Sequence, residues 1–161
     1  MRTAILTVST SVAAARNEDE SGRLLAELAL RAGADVVAHG VVSDDQAAIE
    51  AWLRAQMTAG VALILTTGGT GFTPDDVTPE ATRAVIEREA PGLAEAMRAE
   101  SLRHTPMAML SRGLSGIAGQ TLIVNLPGSP KAVRECFGVI APVLGHAVAL
   151  LRREAGQRVG H

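Results

Sequence analysis

Residues 61–65 form an aliphatic run, and Thr66-Thr67-Gly68-Gly69-Thr70-Gly71 follow it directly. Glycines there let the backbone approach a ligand closely and turn successive N–H groups toward an anion, as open parallel sheets do at the carboxyl ends of their strands. The segment Thr67, Gly68, Gly69, Thr70, Gly71 is therefore a phosphate-loop candidate, with a plain tight turn as the other reading. It is not a Walker A loop, because no Gly-Lys-Ser/Thr follows, and it does not fit the G-x-G-x-x-G dinucleotide fingerprint.

Two acidic pairs stand near helix starts, Asp44-Asp45 and Asp75-Asp76. Carboxylates in such places serve as dipole complements worth ~0.3–1 kcal/mol. They also suit magnesium, which is usually held by one or two carboxylates with phosphate oxygens and water. A carboxylate beside an anion nest repels phosphate unless a cation stands between them. A third constellation is Asn125-Leu126-Pro127-Gly128-Ser129-Pro130-Lys131, at the end of another aliphatic run and the start of a helix. Lys131 is the only lysine beside fourteen arginines. A cation in the first turn opposes the helix dipole unless an anion binds there, so Lys131 is a candidate anion contact.

Other chemistry is poorly supplied. His39, His104, His146 and His161 have no metal-ligand spacing and read as structural or exposed. The single Cys136 can make neither an internal disulfide nor a zinc site by itself, and reads as a small buried hydrophobe in a chain suited to a reducing compartment, the cytoplasm. Aromatic residues are 2% of the chain and net charge is −2, with no run of five or more like charges, which argues against base stacking, nucleic-acid binding and membrane-surface binding. The longest apolar run, residues 139–151, is interrupted by Pro142 and His146 and falls short of the ~20 residues of a spanning helix.

The elements that must position these residues follow from periodicity. At 161 residues, 47% of them apolar, the chain reads as one domain over residues 1–161. Residues 3–8 predict a buried strand followed by a long polar loop over 9–20, and Leu24, Leu25, Leu28, Ala29 and Ala32 then share a helical face closed by Gly33. Residues 35–42 predict a second strand. Ser43 and Gln46 have the spacing of a capping box opening a helix with the stripe Ile49, Trp52, Leu53 and Met57. After the strand over 61–65 and a glycine loop over 66–76, Thr78 is expected to cap a third helix with Pro79 at its first position, and Pro91-Gly92 to break it. A polar helix over 93–104, a strand over 121–124 and a last helix bearing Val133, Phe137, Ile140, Leu144, Ala147 and Leu151 complete the chain. The alternation predicts an α/β, doubly wound, mostly parallel sheet with helices on both faces.

Four linked stretches carry a family resemblance: Thr67-Gly68-Gly69-Thr70-Gly71; Asp76-Val77-Thr78-Pro79-Glu80-Ala81-Thr82; Leu110-Ser111-Arg112-Gly113 with Gly116; and Asn125-Leu126-Pro127-Gly128-Ser129-Pro130-Lys131-Ala132. In these the chain resembles, over nearly its whole length, the molybdopterin adenylyltransferase family of MogA/MoaB type, which includes the G domains of plant and animal molybdenum-cofactor proteins. The resemblance implies a molybdopterin-binding-like fold, a homotrimer, and Mg²⁺-dependent transfer of AMP from ATP to the phosphate of molybdopterin with release of pyrophosphate. A transient contact with the molybdenum-insertion enzyme is implied as well. It implies metal-linked catalytic aspartates at Asp44 and Asp76, with Asp45 open as the first of them. It also implies phosphate on the loop from Thr67 to Gly71, and Ser111, Pro127, Gly128, Ser129 and Lys131 around the pterin or nucleotide. Two departures stand out: Ser9-Thr10 where many members carry Ser-Asp, and Ser43 where many carry proline. A non-catalytic molybdopterin-binding or scaffolding module is the alternative on the same fold, and an unrelated nucleotide-binding domain is a second.

Overall fold

The computed structural model describes residues 1–153, so His161 lies outside the described residues. Six strands form one sheet in the order β2-β1-β3-β6-β5-β4: β1 (Arg2–Val8), β2 (Asp35–Val42), β3 (Leu63–Thr67), β4 (Arg88–Glu89), β5 (Ser115–Ala118) and β6 (Thr121–Leu126). The pairs β1·β2, β1·β3 and β3·β6 are parallel, while β5 runs antiparallel to both β6 and β4. The expected mostly parallel, doubly wound α/β sheet is the architecture found.

Side-chain alternation along the central strands builds a core on each face. Ile5, Leu63, Leu65, Leu122, Val124 and Leu126 pack against α2 (Glu20–Arg31), α5 (Pro91–Leu102) and α6 (Pro130–Leu151). Ala4, Leu6, Val8, Ile64 and Ile123 pack on the other face against α3 (Gln46–Thr58) and α4 (Thr78–Arg83). Strand order reverses between β1 and β3, so their carboxyl ends open a crevice of the kind in which α/β sheets bind ligands. The helix α6 is longer than the apolar run it contains: 22 residues, long and apolar enough by length and composition to cross a membrane. Here Val133, Cys136, Phe137, Ile140, Leu144 and Val148 bury one stripe of it in the core.

Several local expectations are corrected. Ser43 does not cap α3; Asp45 does, accepting from the Ala48 N–H at 2.7 Å, while the Gln46 amide bonds Glu50. Thr78 does not cap α4, whose N-cap Val77 has no side-chain bond. That helix ends at Arg83 rather than running to Pro91, because the chain turns to form β4. β3 is shifted two residues toward its carboxyl end, which takes Thr66 and Thr67 out of the loop and into the sheet. The polar stretch after β1 contains a short helix, α1 (Thr10–Ala13), capped by Ser9.

Candidate functional site

The glycine loop leaves β3 through two residues in the left-handed region, Gly68 at φ +96° and Gly69 at φ +65°. Space also demands glycine: a methyl group on Gly68 would stand 2.3 Å from the Val8 carbonyl oxygen, and one on Gly69 would stand 2.3 Å from Thr78 Oγ1. The loop carbonyls are tied back into the protein. Thr78 Oγ1 donates to Gly68 O at 2.9 Å and its N–H to Gly69 O at 3.1 Å. The Arg112 N–H donates to Thr70 O at 2.8 Å and its Nε to Gly71 O at 2.7 Å. The N–H groups of Gly69, Thr70 and Gly71 meet no acceptor among the described residues. A loop with occupied carbonyls and three free N–H donors presents positive potential to an anion.

Asp44 and Asp76 border this loop, and each is held in the same way. The Thr10 N–H and Oγ1 both donate to Asp44 Oδ2 at 2.8 Å, and Thr10 Oγ1 accepts from the Asp44 N–H at 3.1 Å. The Thr73 N–H and Oγ1 both donate to Asp76 Oδ2 at 2.8 Å. The Oδ1 atoms of Asp44 and Asp76 accept no hydrogen bond among the described residues. A methyl on Gly69 would lie 3.4 Å from Asp44 Oδ1, and one on Gly71 would lie 2.9 Å from Asp76 Oδ2. Asp45 is spent on the α3 cap. Each of the Asp44 and Asp76 carboxylates has one oriented and one free oxygen, and a free carboxylate oxygen is the kind of ligand a hard cation takes, although no cluster of three or more ligating side chains occurs among the described residues.

Arg112 is the fastener that sequence reasoning missed. Besides its bonds to the loop, Nη2 donates to Asp76 O at 2.6 Å, and Nη1 pairs with Glu80 on α4. That hydrogen bond holds the Glu80 carboxyl below the usual carboxylate range. A depressed acid stabilises the fold above its ordinary pKa, so this contribution is present at neutral pH and lost as pH falls through the lowered value. Asn125 is a second fastener, buried, donating to Thr66 and Thr82 hydroxyls at 3.0 and 2.9 Å.

Two cavities touch the loop. The first, about 260 Å³, touches Thr70 and Gly71 and is walled largely by apolar groups, with Ser111 and Pro127 among its lining. The second, about 460 Å³, lies in the β1/β3 crevice, touches Thr67, Gly68 and Gly128, and carries Ser9, Ser11, Asn17 and Glu18. Thr67 Oγ1 donates to Pro127 O at 2.7 Å, and a methyl on Gly128 would lie 3.3 Å from Gly68 Cα, so the loop over 125–129 is pressed onto the glycine loop. Near the second cavity, Asp19 caps α2 and bonds both Thr7 Oγ1 and His39 Nε2 at 2.9 Å, which gives His39 a structural partner.

Five anticipated residues, Asp44, Gly69, Asp76, Ser129 and Lys131, line neither cavity. Ser129 caps α6, accepting from the Ala132 N–H at 3.2 Å. Lys131 is 78% exposed, with Nζ 3.8 Å from Glu135 Oε1 one turn on. Lys131 thus has an acidic neighbour one turn on as well as the helix N-terminus beside it. Cys136 is buried, and burial pushes its thiol pKa up, with the Ser101 hydroxyl opposing.

Comparison with known proteins places these features in context. Residues 4–146 match the family model described as "Probable molybdopterin binding domain". The chain is 47% identical over 149 residues to the molybdenum cofactor synthesis protein cinnamon of Drosophila melanogaster, covering 91% of this chain and 25% of that protein. It is 49% identical over 96 residues to the molybdopterin adenylyltransferase of Haemophilus influenzae, covering 59% of this chain and 49% of that protein. The chain thus spans about a quarter and about half the length of these two relatives. Among solved structures, the molybdopterin biosynthesis enzyme MoaB of Thermus thermophilus superposes with a TM-score of 0.88 at 47% identity, covering 93% of this chain and 95% of that one.

Proposed function

The chain belongs to the molybdopterin-binding domain family of molybdenum cofactor biosynthesis, and on that premise we propose that it transfers AMP from ATP to the phosphate of molybdopterin. The observation that supports the reading is a glycine loop with free N–H groups at Gly69, Thr70 and Gly71 that touches two cavities, one at Thr70 and Gly71 and the other at Thr67 and Gly68. A reaction that joins two substrates at phosphorus needs such an arrangement, with one ligand in each cavity. The pterin fits the apolar cavity beside Thr70 and Gly71. The nucleoside fits the crevice beside Gly68, where Ser9, Ser11 and Asn17 offer partners to ribose and base.

A phosphate oxygen of molybdopterin attacks the α-phosphorus of ATP in line, the bond from the α-phosphorus to the β-phosphate bridge breaks, and pyrophosphate leaves with the electron pair. The N–H groups of Gly69, Thr70 and Gly71 hold phosphoryl oxygens, and the two cavities fix the approach. Positioning and electrostatic stabilisation carry the acceleration, and no side chain is asked to form a covalent intermediate. Asp44 and Asp76 would hold Mg²⁺ through their free oxygens, and the ion supplies neutralisation of the triphosphate charge.

Pyrophosphate release that needs molybdopterin and stops in excess chelator is the expected result. Undiminished release in chelator would remove the metal from the account, and molybdopterin binding without any release would leave a binding module.

The departure at Thr10 acquires a role in this scheme, since its hydroxyl and N–H orient Asp44 from 34 residues away. Thr10→Val keeps the volume and removes the hydroxyl. Outer-shell partners of metal ligands are typically worth at least tenfold, so AMP transfer should fall roughly tenfold, with a matching loss of apparent Mg²⁺ affinity. Thr10→Ser should restore both. An unchanged Mg²⁺ dependence in Thr10→Val would make this contact purely structural.

A further inference from the structure

We propose that Glu135 reads the amino-pyrimidinone edge of the pterin, and so sets the substrate specificity of the apolar cavity. The proposal rests on the reading above for the identity of that ligand. Glu135 lies in the second turn of α6, and with Ala132 and Cys136 it forms the helical face that lines the cavity. The walls around it are mostly apolar, including Ala94, Met97 and Met107. The other charged lining residue, Arg98, is already engaged, its Nη1 donating to Gly113 O at 2.7 Å.

The Glu135 side chain is only 17% exposed. Its Oε1 makes a long ion pair at 3.8 Å with Lys131 Nζ and lies 3.7 Å from His104 Nδ1, an ion pair when that ring is protonated. Both are longer than a hydrogen bond, and neither oxygen accepts a hydrogen bond among the described residues. A mostly buried carboxylate without donors is costly, and a ligand that brings donors relieves the cost. The 2-amino-4-oxo-pyrimidine ring of a pterin presents a ring N–H and an exocyclic NH₂ side by side on one edge. A carboxylate accepts such a pair in two parallel bonds, as it does from a guanidinium. A lumazine has a carbonyl where the pterin has its amino group, so it would set an acceptor against the acid. The same geometry thus both selects and rejects.

The test is a fluorescence titration of the full chain with 6-hydroxymethylpterin and with 6-hydroxymethyllumazine. Wild type should bind the pterin about tenfold more tightly or better, the size of one or two hydrogen bonds to a charged group. Glu135→Gln exchanges one acceptor for a donor at nearly constant shape, and should bring the two affinities within about threefold without lowering the melting temperature. Equal affinities in wild type, retained discrimination in Glu135→Gln, or no binding of either compound would overturn the assignment. The AMP-transfer reading is separable from it. Discrimination lost in Glu135→Gln while wild type releases no pyrophosphate would sink only that reading, and AMP transfer with discrimination kept in Glu135→Gln would sink only the role of Glu135.

Discussion

Asp76→Asn lowers the single-turnover rate of AMP transfer by on the order of a hundredfold at saturating Mg²⁺, comparable to the loss of one preorganised charge-stabilising group. The substitution is isosteric, and its amide oxygen can still accept the Thr73 N–H and hydroxyl bonds that hold Oδ2. What it loses is the negative charge and the second oxygen, the one left without a protein donor. Asp76 is not the cap of α4, so removing its charge costs the helix at most a dipole contact of ~0.3–1 kcal/mol. For a domain of this size that moves the melting temperature by only about 1–4 °C. Molybdopterin binding persists, because the pterin does not need this carboxylate. A rate within threefold of wild type would show that Asp76 is a loop contact and nothing more.

Gly69→Val abolishes ATP binding. The new Cβ falls in the left-handed region, which costs roughly 1–2 kcal/mol for an L residue. It also stands 2.3 Å from Thr78 Oγ1 and 3.2 Å from Val8 Cγ1. Relief requires the Thr78 hydroxyl to leave Gly68 O, which frees the carbonyl that fixes the loop and turns the three N–H groups out of register. The branched methyls then stand beside Asp44 Oδ1, where the phosphate and its cation are expected. The chain folds with a melting temperature lowered by several degrees, since the strands and both cores are untouched. Isothermal titration with ATP and Mg²⁺ checks the binding, and wild-type affinity in the folded variant would reduce the loop to a tight turn.

The parts of this fold that announce themselves in sequence are those with a local physical cause. β1, β3 and β6 are aliphatic or β-branched runs buried on both faces, and Gly33 at φ +82° ends its helix as its position suggested. β4 and β5 left no such trace. Both residues of β4 are exposed, and β5 is four residues long with Gly116 inside it, so neither gives an alternation to read.

The candidate site was legible to the same degree. The glycine loop is contiguous and was read from its own residues. The choice between Asp44 and Asp45 was not open to sequence reasoning, because adjacent carboxylates before a helix can each cap it, and the path of the backbone decides that Asp45 does. Thr10 and Arg112 stayed invisible as site residues because they reach partners 34 and 41 residues away. Thr73, three residues from Asp76, carried a local signal that was passed over, and Thr78 was assigned to a cap when its hydroxyl is bonded to the loop instead. Lys131 was singled out from the helix axis alone, and the structure adds Glu135 one turn on, with its Oε1 3.8 Å from Nζ.

The central claim is that phosphorus passes directly between two ligands held in the two cavities that touch the glycine loop. It is tested by following the α-phosphate of ATP, radiolabelled at that position, through a single turnover with enzyme in excess over molybdopterin in the presence of Mg²⁺. The account predicts that the label appears in adenylylated molybdopterin at the rate of pyrophosphate release, with none retained on the protein. Label on the protein during turnover, or released as free AMP with the pterin unmodified, would contradict it.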